Sequence, residues 1–164
     1  MEGNRLVHVA HGVISPESAG ALPARLADIY RGLQEVIGAH SPSEVGVESI
    51  FHARNPQSAI KLGQARGVAL LAAQMAGLEV VEYTPMQVKS AVVGYGRADK
   101  VQVQEMVRRL LALPERPSPD ASDALAVAIC HLQTSRSPHA LARRRLRPAG
   151  RGDLAKLLRV GSAR

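Results

Sequence analysis

Hydrophobic and polar positions recur along this chain with two different periods, which predict helices and strands in turn. Apolar residues at helical spacing predict helices over 22–39, 58–75, 85–93, 99–113 and 120–133. Short apolar runs predict strands over 5–14, 45–50 and 78–83. Because strands and helices alternate through the middle of the chain, we expect an α/β fold with a mixed sheet flanked by helices.

Two of these segments carry features beyond their period. In the strand over 45–50, apolar residues fall in both alternating series, which is typical of a central strand covered on both faces. In the helix over 58–75, Gly63 and Gly67 are four residues apart and permit a neighbouring element to approach closely. The pattern therefore predicts a sheet buried between layers of helices.

Length and composition exclude several classes of protein. With 164 residues, 46% of them hydrophobic, the chain is long enough for one domain with its own core. It has no apolar run long enough to span a membrane and no signal-peptide pattern, so we expect a cytoplasmic protein with no membrane partner. The single cysteine, Cys130, excludes an internal disulfide. His8 and His11, three residues apart on a predicted strand, would point to opposite faces rather than share a metal.

No nucleophile of the serine or cysteine hydrolases is recognisable. The chain has no Gly-x-Ser-x-Gly motif, and Cys130 lies in the middle of an apolar helix, where a thiol is inert. His131 is expected to lie at the end of that helix. Hydrolysis by a covalent serine or cysteine intermediate is therefore not indicated.

The positive charge is concentrated at the carboxyl terminus. Residues 1–135 hold 12 Lys and Arg against 13 Asp and Glu, whereas residues 136–164 hold 9 against the single Asp153. The net charge of +7 is therefore mostly that of the terminal segment. We expect one domain over 1–135 and a flexible basic tail over 136–164, which either contacts phosphates or only keeps the terminus solvated.

Three carboxylates occur in otherwise apolar surroundings. Glu48 lies inside the predicted strand, where burial would be costly, and Asp120 and Asp123 open the last helix, about 60° apart on one face. For the two aspartates, ordinary helix N-terminal chemistry is the alternative, with Ser118 as N-cap. A shared divalent cation would satisfy all three, and a site of carboxylates alone suits Mg²⁺ or Mn²⁺. Such ions support phosphodiester cleavage.

The surroundings of these acids suit a polyanionic substrate. Phe51, the only Phe, follows Glu48 on a predicted loop, where it either wedges between bases or packs under the loop. Positive charge near the predicted loops comes from Arg54, Lys61, Lys89, Arg97 and Lys100. An enzyme that holds a polyanion over carboxylates needs such charge, although each cation alone is weak support.

Three blocks of sequence resemble the crossover junction endodeoxyribonuclease RuvC family, the bacterial Holliday junction resolvases. The first is VESIF at 47–51 with NPQSAIKLGQARGVA at 55–69, which is similar to the family's central strand and following helix. The second is PMQVK at 85–89 with VVGYGRADK at 92–100, similar to the family's DNA-facing segment. The third is DASDALAVA at 120–128, similar to its final acidic motif. The resemblance extends from about Arg5 to Gln133.

The resemblance implies an RNase H-like fold and a homodimer that nicks a four-way DNA junction symmetrically, one strand per subunit. It implies catalytic and metal-binding roles for Glu48, Asp120 and Asp123, with two Mg²⁺ or Mn²⁺ ions in each complete site. It further implies contacts with DNA for Phe51, Lys89 and Lys100, and RuvA and RuvB as branch-migration partners.

One departure from the family pattern stands at the amino terminus. Family members begin with a strand bearing Gly-Ile-Asp-Pro-Gly, whose Asp is the first metal ligand, and this chain is similar to the family only from the third strand onward. We therefore expect the chain as printed to be inactive, and activity to appear when such a segment precedes Met1. Two function classes stay open: a junction-cutting nuclease, and a non-catalytic junction- or DNA-binding relative.

Overall fold

The structure, a computed structural model, describes residues 5–17, 20–49 and 55–135. Two strands and five helices follow one another in the order α1 (Leu22–His40), β1 (Glu44–Glu48), α2 (Pro56–Met75), β2 (Glu79–Tyr83), α3 (Pro85–Val93), α4 (Lys100–Leu110) and α5 (Pro119–Ser135). The chain up to Gln133 forms one compact unit. The predicted basic tail over 136–164 lies outside the described residues, so the division at residue 135 stays a prediction.

The two strands pair in parallel, with Glu44 opposite Glu79 and Glu48 opposite Tyr83. Helix α2 connects them, because parallel neighbours need a crossover rather than a tight turn. The predicted α/β class is confirmed, and so are the predicted strand over 78–83 and all five predicted helices, within a few residues at their ends.

Short polar motifs fix where the helices begin. Asn55 accepts a hydrogen bond from the amide of Gln57 at the start of α2. Thr84 and Gln87 form a reciprocal capping box at the start of α3, and Asp99 forms another with Gln102 at the start of α4. These caps satisfy amide groups that have no partner within the helix. They therefore define the turns between β2, α3 and α4.

The hydrophobic core lies on one side of the sheet. Its buried members come from β2, α3, α4 and α5 and from the segments beside them: Tyr83, Val88, Val92, Ala98, Val103, Val107, Leu113, Leu125, Ala126, Val127, Ile129 and Cys130. By contrast, α1 has no buried residue and α2 has only Ala72 and Ala73. The helix that bears the predicted acidic motif, α5, is therefore the most deeply packed element.

The predicted strand over 5–14 is wrong. Arg5 forms a single bridge, and residues 6–17 form no strand. Val9 is 75% exposed, while Leu6 packs against the core and lines a cavity with Leu125 and Ile129 of α5. An extended apolar segment becomes a strand only when a second strand accepts and donates its backbone hydrogen bonds, and this segment lies on a helix instead.

Two further expectations about this part of the molecule are wrong. His8 and His11 do not face opposite sides, because Nε2 of His8 lies 2.8 Å from Nδ1 of His11 in an exposed pair. β1 is not covered on both faces, because none of its residues is fully buried and its last residue, Glu48, is exposed. The apolar residues in both alternating series of β1 correspond to partial burial on each face of the strand. They do not indicate a strand at the centre of a sheet.

Candidate active site

α5 contacts β1 at Gly46. A Cβ atom added at Gly46 would lie 3.1 Å from Cβ of His131 and 3.3 Å from Cγ1 of Val127. Two residues earlier, Glu44 also meets His131, since its Oε2 lies 2.9 Å from the ring Nε2. Because side chains alternate along a strand, Glu48 faces α5 as Glu44 and Gly46 do.

Glu48 and Asp123 meet at the carboxyl end of β1. They line one cavity of about 260 Å³ together with Pro85, Val88, Lys89, Lys100, Val103 and Ala126. The two acids come from β1 and α5, and the two lysines come from α3 and from the first turn of α4. The cavity therefore combines a pair of carboxylates with two cations above partly apolar walls.

Burial and neighbouring charges shift the pKa of Glu48 in this cavity. Loss of hydration against the cavity walls raises the pKa of its carboxyl group above the ordinary value, and the charge of Asp123 raises it further. Lys100 and Lys89 act in the opposite direction. Glu48 is exposed as a residue and yet partly dehydrated at its carboxylate, because it lies at the mouth of the cavity. The two acids therefore repel each other, and a cation between them would relieve that repulsion.

Lys100 is the cation closest to Asp123, with Nζ 3.8 Å from Oδ2. Both side chains are largely exposed, so this contact contributes little to stability. The lysine is therefore free to exchange the carboxylate for an anionic ligand at small cost.

Arg66 on α2 holds the end of β1 from the other side. Its Nη1 donates a hydrogen bond to the backbone oxygen of Glu48 at 2.6 Å, and its Nη2 lies 2.5 Å from Oε2 of Glu82 on β2. The Arg66 side chain is only 17% exposed. This role of Arg66 is not among the sequence-based predictions, although an arginine in a helix of small and apolar residues is a signal for it.

A buried polar network joins the start of β1 to α5 and to the end of β2. Tyr83 Oη is 2.8 Å from Nδ1 of His131, whose Nε2 is 2.9 Å from Glu44. His131 is 6% exposed and Tyr83 4%. An ionised carboxylate can only accept, so Nε2 carries a proton and donates to Glu44, and in the neutral ring the Tyr83 hydroxyl donates to Nδ1. Burial raises the pKa of Tyr83, which keeps that hydroxyl protonated.

The expectation that His131 is merely a helix-end residue is wrong. It is buried in α5, four residues before the last residue of that helix, and it bonds to both strands. A histidine inside an apolar helix, with a tyrosine at the end of a strand, was the available signal.

The remaining predicted site residues are not brought to this cavity. Asp120 is exposed on the first turn of α5 and is not among the lining residues. Lys61 on α2 and Arg97 before α4 are also exposed and line no part of it. Phe51 and Arg54 lie outside the described residues. The expectation of three buried acids is wrong, because Glu48, Asp120 and Asp123 are all exposed residues.

The acidic side chains that line the cavity are of the type that binds hard divalent cations. Two carboxylates offer oxygen ligands, which Mg²⁺ and Mn²⁺ prefer. Within residues 5–17, 20–49 and 55–135, no group of three or more His, Cys, Asp and Glu is arranged to hold a metal ion. Glu48 and Asp123 therefore offer two oxygen donors, and among the described residues they do not make a complete metal site by themselves.

Comparison with known proteins agrees with the resemblance found in the sequence. The family model described as "Crossover junction endodeoxyribonuclease RuvC" matches residues 1–131. The chain belongs to the RuvC family. Proteins of that name from Geotalea uraniireducens and Syntrophotalea carbinolica are similar to it, with 58% identity over 82% of this chain and 78% of the first relative, and 60% identity over 79% of this chain and 80% of the second.

A solved structure of a RuvC protein has the same fold. The chain described as "T. thermophilus RuvC in complex with Holliday junction substrate" is 36% identical, with a TM-score of 0.77 over 83% of this chain and 84% of that one. The predicted RNase H-like fold is thereby confirmed. The family is one of crossover junction endodeoxyribonucleases, enzymes that use divalent metal ions. No helix among the described residues is long and apolar enough to cross a membrane.

Proposed function

We propose that this RuvC protein resolves Holliday junctions by nicking two strands symmetrically with the help of divalent metal ions. The observation that carries the proposal is the cavity in which Glu48 and Asp123 face each other between Lys89 and Lys100. A phosphodiester nuclease needs carboxylates to hold cations and further cations to hold the phosphate, and this cavity offers both.

Glu48 and Asp123 would hold Mg²⁺ or Mn²⁺, with two ions in a complete site, and Asp120 one turn earlier on α5 is proposed as a further catalytic and metal-binding residue. Such ions supply activation of water and charge stabilisation at the scissile phosphate. The protein's own contribution is to place the two carboxylates in one cavity with Lys89 and Lys100, which would position the phosphate backbone. DNA contacts are also proposed for Phe51, Arg54, Lys61 and Arg97.

The proposed homodimer is supported by an exposed stripe along α2, made of Ile60, Gly63, Gly67, Leu71 and Met75. These residues are three or four positions apart and so share one face of the helix. Ile60, Leu71 and Met75 are 62%, 54% and 64% exposed, and among the described residues no atom lies within 4 Å of a Cβ added at either glycine. A second copy of the chain could approach there closely, as the spacing of the glycines predicts.

Sedimentation of two variants of α2 tests the dimer. Leu71→Glu places a charge on the stripe and is expected to give a monomer. Leu62→Glu places the same charge on another exposed part of α2, away from the stripe, and is expected to leave the dimer intact. Equal sedimentation of the two variants would contradict the assignment of this face.

Nicking of a synthetic four-way junction in Mg²⁺ tests the reaction. We expect paired nicks at symmetric positions of two strands, lost on chelation of the metal and in Asp123→Asn. The printed chain and a form extended before Met1 with a Gly-Ile-Asp-Pro-Gly segment are compared, and nicking is expected to appear in the extended form because it brings a further carboxylate to the ions. Failure of both forms to nick would overturn the proposal.

A non-catalytic binding protein is not favoured, because a protein that only holds DNA gains nothing from two mutually repelling carboxylates beside its lysines. RuvA and RuvB as partners stay a prediction from the family resemblance, and the cytoplasm as the location stays a prediction from the sequence.

A further inference from the structure

The pairing of Glu48 with Asp123 depends on where α5 lies along β1. Two residues of a strand advance about 6.6 Å and four residues of a helix about 6 Å, so contacts can repeat in step along two antiparallel elements. They do so here, with Glu44 opposite His131, Gly46 opposite Val127 and His131, and Glu48 facing the same cavity as Asp123.

Apolar packing alone would hold this position weakly. The α5 side chains near β1 include Ala126 and Val127, which are small and carry no directional bond. A slide of α5 by one turn, about 5.4 Å, would carry Asp123 away from Glu48 while similar small residues continued to face the strand. A directional interaction, such as a hydrogen bond, is needed to fix the position of α5 along its own axis.

The hydrogen bonds of the buried network formed by Glu44, Tyr83 and His131 provide this directional interaction. His131 uses one ring nitrogen toward Glu44 on β1 and the other toward Tyr83 on β2, so its ring is bound to both strands at once. A slide of α5 would break both hydrogen bonds. It would leave buried polar groups without partners, which costs free energy. Gly46 adds a steric limit, because it leaves space for the His131 side chain and no more.

We propose that His131, held by Glu44 and Tyr83, is a positioning residue that keeps Asp123 opposite Glu48 and so sets the affinity of the carboxylate pair for divalent metal. This inference rests on the proposed metal site. His131 lies eight residues from Asp123 and acts on the pair only through the position of α5.

Binding of Mn²⁺ to the full chain, measured by calorimetry, tests the inference without relying on activity. In His131→Leu we expect affinity to fall by about tenfold or more, the range found when groups that orient metal ligands are removed. Tyr83→Phe, which loses one hydrogen bond and keeps the ring, should show a smaller loss. In nicking assays kcat should fall while junction affinity stays unchanged.

A purely structural role predicts a different pattern, and two comparisons separate them. Ile129→Ala removes a fully buried side chain from the part of α5 that faces residues 6–10, so it should lower the melting temperature without changing Mn²⁺ affinity. Glu44→Gln retains an acceptor for Nε2 and should retain most of the affinity that Glu44→Ala loses. All variants are compared below their melting temperatures.

The outcomes distinguish this inference from the proposed function. If the unchanged chain shows no Mn²⁺ binding that Asp123→Asn abolishes, the metal assignment fails and this inference fails with it. If that binding exists and is equal in His131→Leu, Tyr83→Phe and Glu44→Ala, the inference alone is overturned. Should His131→Leu not fold, equal binding by Glu44→Ala and Glu44→Gln is sufficient to reject it.

Discussion

The two ends of the contact between β1 and α5 differ in whether their charged groups are paired and in how far they are exposed. At one end, Glu44 and His131 are paired, largely enclosed and joined to Tyr83 by a second hydrogen bond. At the other end, Glu48 and Asp123 are exposed, and the like charge of Asp123 raises the pKa of Glu48. One end satisfies its polar groups within the protein, and the other leaves them available to a ligand.

This difference arises from the neighbours of the two ends rather than from β1 or α5 themselves. At the start of β1, Glu44 bonds to the buried ring of His131, which also bonds to Tyr83 at the end of β2. At the Glu48 end the strand stops, and α3 and α4 contribute Lys89 and Lys100 around an open cavity. Rigid, fully bonded groups beside an unsatisfied site are what a preorganised binding site needs.

The largest effect is expected from removing one charge at the exposed end. In the form extended before Met1, Asp123→Asn should lower kcat for junction nicking on the order of 100-fold or more, since a group that acts on charge in the transition state is lost. Junction affinity should change little. Asp28→Asn, at a partly buried aspartate of α1 that pairs with Arg31 outside the cavity, is the matched control and should cut normally. Normal cutting by Asp123→Asn would remove Asp123 from the catalytic machinery.

The next effect is expected from crowding the middle of the contact. In Gly46→Ala the new Cβ would meet a histidine ring that two hydrogen bonds hold in place, so we expect a loss of about 1–3 kcal/mol of unfolding free energy. Urea denaturation measures it. Gly38→Ala, at an open position in α1, should instead gain about 0.5–1 kcal/mol from helix propensity. Equal stability of the two variants would show that β1 and α5 tolerate separation.

A smaller effect is expected at the lysine beside the exposed pair. Lys100→Ala should weaken junction binding and reduce the slope of log affinity against log salt by about 1, because one phosphate contact is lost. Stability should stay within about 0.5 kcal/mol, since the Lys100 and Asp123 side chains are solvent-exposed. Arg31→Ala, an exposed cation on α1, should leave the slope unchanged. Binding titrations at several salt concentrations decide between them.

The smallest effect concerns pH and stability. The pKa of Glu48 is raised in the folded state, so its contribution to stability is fully present below the ordinary value of 4.5 and is lost as pH rises through the raised pKa. Glu48→Gln, which cannot ionise, should therefore be more stable than the unchanged chain at pH 7, by about 0.5 kcal/mol or less after solvent screening. The difference should vanish near pH 4. A variant that is less stable at pH 7 would contradict the proposed repulsion.

Local sequence was sufficient where one element decides its own conformation. The five helices follow from apolar spacing and from caps such as Thr84 with Gln87 and Asp99 with Gln102. It was insufficient for the segment over 5–14, whose apolar residues lie against α5 without forming a strand. A β-strand forms only when a second segment pairs with its backbone N–H and C=O groups. The hydrophobic pattern of one segment does not predict whether such a partner is present.

The sequence by itself determined the fold class, the family and the residue types of the site, because acidic and basic residues at fixed spacings survive as a recognisable pattern. Only the tertiary structure decided that Asp123 rather than Asp120 joins Glu48 in the cavity, that Arg66 bonds to the end of β1, and that His131 connects both strands to α5. The positions of Asp123 and His131 depend on the register between α5 and β1, which lie about 80 residues apart in the chain. Such a register is set by which side chains fit across the contact, and the spacing within either element carries no information about it.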